Sequence, residues 1–244
     1  MDLVVNHTSD EHPWFRAAIA DMDSEYASYY VFKDGKEGCP PDNLRSYFGG
    51  SAWERVGDTD RYYFHAFGKK QPDLNWDNPK LRDEIYQMMN YWLDKGVCGF
   101  RVDAIGNIKK NLTQDRYPAD GPDGLCYAGT WIQNQPGIED FLTEMKEQTL
   151  KPHNSMTVAE VGVPEERLEE FVGKDGFFSM VFDFSYTDID VPDSAEWFVP
   201  TGWTVKDIRD HLFHSQTATQ AIGWGAVYLE NHDQPRSINK YIPE

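Results

Sequence analysis

Charged and imidazole side chains follow four short apolar runs of this 244-residue chain. These six side chains are, in chain order, His7, Arg101, Asp103, Glu160, His232 and Asp233. Three carboxylates, a guanidinium and two imidazoles form a set that suits cleavage of a glycosidic bond. In that reaction one carboxyl group donates a proton while a carboxylate attacks the anomeric carbon.

The apolar runs predict the elements that would position these residues. Each run is short and bounded by turn residues, which is typical of a fully buried strand. Polar side chains placed repeatedly at the carboxyl ends of buried parallel strands are typical of a (β/α)-barrel active site. The six side chains are therefore expected to converge on one pocket.

Two of the runs predict distinct roles for their carboxyl groups. Strand side chains alternate, so Arg101 and Asp103 share one face while Phe100 and Val102 share the other. A guanidinium keeps a neighbouring carboxylate ionised by lowering its pKa, as a nucleophile requires. Glu160 follows apolar or small residues, where a raised pKa would let it hold the proton of a general acid.

The segment after the first strand (residues 2–6) has a different character. Residues 8–77 are rich in Gly, Asp, Pro and aromatic residues, with one predicted helix near Pro13 to Ala20 and strand-like residues near Arg61–Phe67. Such a length exceeds the roughly two to six residues of an ordinary βα connection. The segment is therefore predicted to be an irregular inserted domain.

Regular alternation of helices and strands begins at Asn78-Pro79, a helix start with Pro in the first turn. The apolar residues that recur at helical spacing before Gly96 are Leu81, Ile85, Met88, Met89 and Trp92. Beyond the strand ending at Asp103 and a loop at 104–136, the predicted elements are a helix at 138–150, a strand ending at Glu160, a helix from Pro164 to Val172, a strand at Phe178–Phe184, a helix at Thr204–Ala221 and a strand ending at Asn231.

This alternation predicts an α/β fold with a parallel sheet. Five strands do not close a barrel of eight, so we expect the middle of a longer enzyme, with about strands 3–7 of a (β/α)8 TIM barrel. The predicted domains are a partial catalytic barrel at 1–7 and 76–244 and an inserted domain at 8–75, which follows strand 3.

Composition restricts the partners. The net charge of −18 argues against nucleic acid and anionic membranes, and no run of about 18 apolar residues exists. Three widely spaced cysteines predict a reducing, cytoplasmic location. The expected partner is a small oligosaccharide substrate, without cofactor or metal, and the oligomeric state stays open. The segment Asp120–Gly124 is interpreted as a plain acidic turn rather than a calcium loop.

Each candidate side chain also has an ordinary structural explanation. Arg101 and Asp103 could form a structural ion pair, and Glu160 could lie at a helix N-terminus. Asn231 and Asp233 could cap a turn, and His7 could be a buried histidine with satisfied hydrogen bonds. The occurrence of all four groups at strand ends favours the site.

The same four segments resemble the conserved regions of the α-amylase superfamily of glycoside hydrolases. They are Asp2–His7, Gly99–Ala104, Val158–Glu160 and Glu230–Asp233. The resemblance implies that Asp103 is the nucleophile with Arg101 as its partner, that Glu160 is the acid/base, and that Asp233 stabilises the transition state. It also implies that His7 and His232 contact the substrate.

Two further segments resemble the oligo-1,6-glucosidase and α-glucosidase subgroup. Gln71–Asn75 is similar to its marker region, and Tyr47–Trp53 is similar to its inserted domain. In this resemblance Phe48 and Phe67 surround the bound sugar, and the inserted segment closes off a pocket. The implied activity is a retaining exo-α-glucosidase that removes glucose from short oligosaccharides.

Ala104 bears on the preferred linkage. In this subgroup Val after the nucleophile tends to accompany α-1,6 activity, and a small residue or Thr tends to accompany α-1,4 activity, so we expect α-1,4 preference with some α-1,6 tolerance. The alternatives are a sucrose isomerase or transglucosidase of the same superfamily and a catalytically inactive binding relative. Phosphorylated disaccharides also remain open as substrates.

Overall fold

The computed structural model describes residues 1–191 and 202–242. The predicted catalytic range 76–244 therefore includes residues 192–201 and 243–244, which lie outside the described residues. The chain divides into two compact units, Met1–Ser155 and Met156–Glu244. None of the described helices is long and apolar enough to cross a membrane.

The first unit contains seven described strands and four α-helices. The strands are β1 (Asp2–Val4), β2 (Phe32–Asp34), β3 (Leu44–Arg45), β4 (Trp53–Arg55), β5 (Arg61–Phe64), β6 (Gly99–Asp103) and β7 (Cys126–Tyr127). The helices are α1 (Pro13–Ala20), α2 (Pro79–Asp94), α3 (Gly129–Ile132) and α4 (Ile138–Met145), with 3₁₀ turns at Glu25–Tyr29 and Ile105–Asn107 and a π-helical turn at Lys146–Leu150.

β1 and β6 are parallel neighbours, as the sequence predicts. Their register pairs Asp2 with Arg101 and Val4 with Asp103. Along β6, Phe100 and Val102 are buried while Arg101 and Asp103 are partly exposed. The alternation of side chains along a strand therefore puts both charged groups on one face.

Helix α2 leads the chain into β6. The Asn78 side chain accepts a hydrogen bond from the Lys80 N–H at 3.0 Å and caps the helix, and Gly96 follows its end with a φ of +97°. The predicted apolar face is wrong in part, because Met88 and Trp92 are exposed. The buried stripe follows the four-residue spacing instead: Leu81, Ile85, Tyr86, Met89 and Leu93.

The irregular segments of the first unit share one hydrophobic core. β2, β5 and β4 form an antiparallel sheet in that order, and β3 pairs in parallel with β7, Leu44 opposite Cys126. The core is therefore built from both the region before α2 and the predicted loop at 104–136. Its buried members are Leu44, Ala52, Trp53, Tyr62, Phe64, Ala66, Tyr117, Cys126, Ala128 and Ile132.

The second unit contains three described strands and three helices. They are β8 (Met156–Ala159), α5 (Leu168–Val172), β9 (Met180–Phe182), α6 (Val205–Gln220), β10 (Trp224–Ala226) and α7 (Ser237–Tyr241), with a 3₁₀ turn at Glu165–Arg167. β9 is parallel to both β8 and β10. Helix α6 begins with a capping box, in which the Thr204 N–H donates to Asp207 Oδ2 at 2.8 Å and the Asp207 N–H donates back to Thr204 Oγ1.

The prediction of four fully buried strands is wrong. Val4 in β1 and Met156 in β8 are exposed, because successive side chains of a strand point to opposite faces and only one face packs here. β10 ends at Ala226, so the predicted strand to Asn231 is also wrong; Val227 and Leu229 are more than half exposed. The strand predicted at Phe178–Phe184 covers only Met180–Phe182.

Candidate active site

The carboxyl end of β6 carries a close ion pair. Arg101 Nη1 donates to Asp103 Oδ1 at 2.8 Å, and the same nitrogen lies 3.8 Å from Asp2 Oδ1. The side chains of Arg101 and Asp103 are 19% and 20% exposed. The Asp103 carboxylate is thus oriented by a guanidinium and still reachable from solvent, which suits a nucleophile.

Ala104 turns the chain directly after Asp103. Its φ is +45° and its ψ is +31°, the left-handed region that non-glycine residues rarely adopt. The residue is buried, and the 3₁₀ turn Ile105–Asn107 follows it. Because such a conformation costs free energy, the surrounding contacts must hold it in place.

His7 lies just beyond β1 and is buried. Burial lowers the pKa of its imidazole, as does the Lys110 ammonium, while the carboxylates of Asp73 and Asp103 act in the opposite direction. The imidazole also lies 5.5 Å from the Phe67 ring, centroid to centroid. His7 therefore lies within electrostatic range of the predicted nucleophile and also contacts an aromatic ring of the segment before α2.

Three aromatic rings contact one another next to this histidine. The Phe67 ring contacts Tyr47 at 4.9 Å and Phe48 at 5.9 Å between centroids. Phe48 is 65% exposed, so its face is available to a ligand. The Tyr47 hydroxyl donates to Asn107 Oδ1 at 2.8 Å, which connects these rings to the turn after Ala104.

A buried ion pair also contacts the turn after Ala104. Lys110 Nζ lies 3.1 Å from Asp73 Oδ2, and the two side chains are 6% and 0% exposed. Lys110 also donates to Asn6 Oδ1 at 3.0 Å and to the Asn107 carbonyl at 2.9 Å. The Lys110 ammonium thereby joins three segments, which are the end of β1, the Gln71–Asn75 motif and the loop after β6. Sequence reasoning missed Lys110, since a lysine in an irregular loop carries no signal of burial.

The acidic segment Asp120–Gly124 is held by an arginine. The Arg45 guanidinium donates from Nη1 to Asp120 Oδ1 at 2.7 Å, and from Nε and Nη2 to both oxygens of Asp123. These hydrogen bonds lower the pKa of the Asp123 carboxyl to about 2. Within residues 1–191 and 202–242, no group of three or more His, Cys, Asp or Glu side chains is placed to hold a metal ion.

A cavity of about 470 Å³ opens beside His7. Its walls include Trp14, Leu74 and Met88, and its polar lining includes His7 and Gln71 but not Asp103. The cavity therefore reaches the histidine without reaching the predicted nucleophile, and we do not assign it as the reaction pocket.

Glu160 follows β8 in the second unit and is half-buried. It lies within electrostatic reach of Tyr228, whose phenol pKa is raised mainly by burial and slightly by the Glu160 carboxylate. Tyr228 is held by its neighbours: its hydroxyl lies 3.0 Å from Thr187 Oγ1, and its N–H donates to the Tyr186 hydroxyl at 2.7 Å.

His232 and Asp233 lie in a turn rather than at the end of a strand. His232 Nε2 is 3.0 Å from Asp233 Oδ2, and both side chains are mostly exposed. Asn231 Oδ1 accepts the Asp233 N–H at 2.9 Å, so Asn231 has the turn-capping role of the ordinary structural explanation. The preceding Glu230 accepts hydrogen bonds from the Ser237 N–H and from Arg236, and its pKa falls to about 2.

The structure thus connects five of the predicted residues within the first unit: His7, Phe48, Phe67, Arg101 and Asp103. Ala104 adjoins them in the chain, and Glu160, His232 and Asp233 lie in the second unit. Of the residues that sequence reasoning missed, Asn6, Gln71 and Asp73 lie in segments that the resemblance marks without giving these side chains a physical role. Asn107 carries no signal of its own.

Comparison with known proteins gives consistent matches. Residues 1–242 match the family model described as "Alpha amylase, catalytic domain". The chain is 45% identical over 246 aligned residues to the probable oligo-1,6-glucosidase 3 of Bacillus subtilis, covering 98% of this chain and 43% of that protein. The chain therefore spans less than half the length of this curated relative.

Two solved structures are similar in fold. The trehalose-6-phosphate hydrolase of Bacillus licheniformis has a TM-score of 0.86 at 36% identity, covering 99% of this chain and 43% of that one. The isomaltulose synthase of Protaminobacter rubrum has a TM-score of 0.88 at 34% identity, with coverages of 99% and 44%.

Proposed function

The chain belongs to the α-amylase family, and from this premise we propose that the whole protein is a retaining exo-α-glucosidase. It would hydrolyse terminal α-1,4 and, less readily, α-1,6 glucosidic bonds of short oligosaccharides. The observation that carries the proposal is the Arg101–Asp103 contact of 2.8 Å at the end of β6, with His7 in electrostatic reach. The oligo-1,6-glucosidase relatives favour the α-glucosidic substrate class.

The proposed mechanism proceeds in two steps. The Asp103 carboxylate attacks the anomeric carbon while the bond to the leaving oxygen breaks, and Glu160 gives its proton to that oxygen. Glu160 then takes a proton from water, which attacks the glucosyl ester, releases Asp103 and leaves the anomeric configuration unchanged. Asp233 stabilises the positive charge that develops on the sugar.

The remaining predicted residues bind the glucose unit in this proposal. Arg101 orients the nucleophile, while His7 and His232 contact the sugar. Phe48 and Phe67 offer aromatic faces to the apolar face of the ring. The contact of Phe67 with both His7 and Phe48 supports this assignment. No step of the proposed reaction requires a metal or a cofactor.

The proposed architecture is a (β/α)8 barrel of which this chain supplies about strands 3–7. Residues 1–7 and 76–244 would belong to the barrel, and residues 8–75 would form the inserted domain that closes off a pocket. The parallel pairing within each unit supports the barrel. Because β7 packs into the same hydrophobic core as the segment before α2, part of 104–136 would belong to the inserted domain as well.

A sucrose isomerase is the second candidate, because similar solved structures include isomaltulose synthases. Such an enzyme would use the same carboxylates and return the glucosyl group to the fructose that it has just released. Because the chain is also similar to trehalose-6-phosphate hydrolases, phosphorylated disaccharides are a further candidate substrate class. An inactive binding relative is disfavoured, because Asp103, Glu160 and Asp233 are all present.

Product analysis with the full-length protein tests the proposal. p-Nitrophenyl α-glucoside, maltose, isomaltose and sucrose are supplied separately, and the products are followed by ¹H NMR from the first minutes. We expect α-glucose to appear first from p-nitrophenyl α-glucoside, whose leaving group is not a sugar, and glucose to be released faster from maltose than from isomaltose. Isomaltulose or trehalulose from sucrose would establish the isomerase instead, and β-glucose as the first sugar from p-nitrophenyl α-glucoside would exclude the retaining mechanism.

The side chain at position 104 is expected to influence linkage preference. We predict that Ala104→Val lowers the ratio of kcat/KM for maltose to kcat/KM for isomaltose by about tenfold, the scale of one or two methyl groups in a pocket. Ala104→Thr is the matched control, because Thr has the same shape and is equally disfavoured at a φ of +45°.

The control separates the effect of a methyl group in place of a hydroxyl group from the effect of backbone strain. Both variants should lose similar free energy of unfolding, measured in urea, whereas only the Val variant should change the ratio. An equal change of the ratio in both variants would mean that side-chain shape or backbone strain alone sets the linkage preference.

A further inference from the structure

The Gln71–Asn75 motif is paired with the segment that carries His7. The Thr8 N–H donates to the Pro72 carbonyl at 3.2 Å, and the Leu74 N–H donates to the Asn6 carbonyl at 2.8 Å. These backbone hydrogen bonds run the two segments antiparallel and bring Gln71 alongside the imidazole. As a result Gln71 Nε2 lies 3.1 Å from His7 Nε2.

The orientation of the Gln71 amide follows from its other contact. The Gly68 backbone N–H points at Gln71 Oε1 at 3.0 Å. A backbone N–H can only donate, so the atom that it meets must be the amide oxygen. The NH₂ group of Gln71 therefore faces His7, and Nε2 of the ring must accept its hydrogen.

A second oriented amide lies on the opposite side of the ring. Asn6 Oδ1 accepts from Lys110 Nζ at 3.0 Å, and Asn6 Nδ2 donates to Asp73 Oδ2 at 3.1 Å. The ammonium only donates and the carboxylate only accepts, so this amide cannot be turned over. Its NH₂ group is 3.4 Å from His7 Nδ1.

The imidazole thus lies between two NH₂ groups. A neutral ring has one lone pair in its plane and one N–H, so it can accept from only one of them. The contact to Gln71 is the shorter of the two and takes the lone pair, which leaves the proton on Nδ1. A doubly protonated ring would direct an N–H at an NH₂ group on both sides.

We propose that Gln71 is a positioning residue that keeps His7 neutral, with its proton on Nδ1. The charged groups that face the ring are Asp73, Asp103 and Lys110, and burial opposes its protonation as well. For catalysis, which rests on the proposed function, a neutral His7 leaves Arg101 as the principal cation beside Asp103. A charged His7 would stabilise the carboxylate further and make it a poorer nucleophile.

Histidine ¹⁵N NMR of the full-length protein tests the proposal without reference to catalysis. The His7 signals are identified by their loss in His7→Gln. At neutral pH we expect an unprotonated Nε2 and a protonated Nδ1. In Gln71→Glu a carboxylate oxygen faces Nε2 and draws a proton to it, so the midpoint of the His7 titration should rise by about one pH unit or more.

The charge control is Gln87→Glu, which introduces the same charge at an exposed position of α2 and should leave the His7 titration unchanged. If Gln71→Glu does not fold, Gln71→Met removes the amide at similar volume and should shift the proton from Nδ1 towards Nε2. A protonated Nε2 in the unaltered protein at neutral pH overturns the proposal, as does an unchanged titration in Gln71→Glu.

The pH profile of kcat/KM adds the functional readout. In Gln71→Glu the acidic limb should move to higher pH together with the His7 titration, and activity should recover above it. A protein without hydrolase activity would refute the proposed function and leave the NMR result to decide the role of Gln71.

Discussion

Replacing Asp103 by Asn in the full-length protein is expected to abolish hydrolysis of p-nitrophenyl α-glucoside, with kcat/KM falling by about four orders of magnitude or more. The amide keeps the shape of the carboxyl group but has no charge with which to attack the anomeric carbon. Asp103 lies on β6 with Arg101 Nη1 at 2.8 Å, and the amide oxygen can still accept that hydrogen bond. The fold should therefore survive the change.

Two further measurements make this prediction specific to the nucleophile. Asp58→Asn removes the same charge from an exposed turn of the first unit and should retain full activity. In Asp103→Ala, added azide should enter the space of the missing carboxylate and form β-glucosyl azide, because it attacks from the face that the nucleophile occupied. Activity of Asp103→Asn within tenfold of the unaltered protein would contradict the assignment of Asp103.

The parts of the fold that depend on local rules could be predicted from sequence. Arg101 and Asp103 share a face because side chains alternate along any strand. Helix α2 begins at Pro79 after an Asn cap and ends before Gly96, as capping preferences require. Its buried face is harder to predict, since Met88 and Tyr86 fit a helical stripe about equally until the packing partners are known.

The parts that depend on distant contacts could not be predicted. Lys110 looks like a surface lysine until Asp73 and Asn6 are brought to it across the fold. The motif containing Gln71 is visible as a resemblance, yet its physical role depends on the Gly68 N–H and on a backbone pairing with residues 6–10. The apolar run before Glu230 has strand composition, but β10 ends at Ala226 and residues 227–229 have no regular secondary structure.

Lys110→Met is expected to destabilise the protein strongly, with a larger loss than the substitutions at the exposed positions 58, 80 and 87. Lys110 and Asp73 are buried together at 3.1 Å, and removing one partner leaves an uncompensated charge away from water. Breaking a buried pair in this way typically costs about 3–5 kcal/mol of the free energy of unfolding. The Asn6 side chain and the Ala66 N–H still donate to Asp73, at 3.1 and 2.9 Å. These hydrogen bonds keep the unpaired carboxylate in its buried position, so it cannot regain contact with water.

A double-mutant cycle with Asp73→Asn separates the buried charge from lost packing. The double variant should recover much of the stability lost in Lys110→Met, because no unpaired charge remains, with unfolding followed in urea. Lys80→Met, at an exposed position of α2, controls for the loss of a lysine and should change the free energy by less than about 0.5 kcal/mol. A loss below about 1 kcal/mol in Lys110→Met would show that the ion pair contributes little to holding β1, the Gln71–Asn75 motif and the loop after β6 together. The position of His7 would then have to depend on its other contacts.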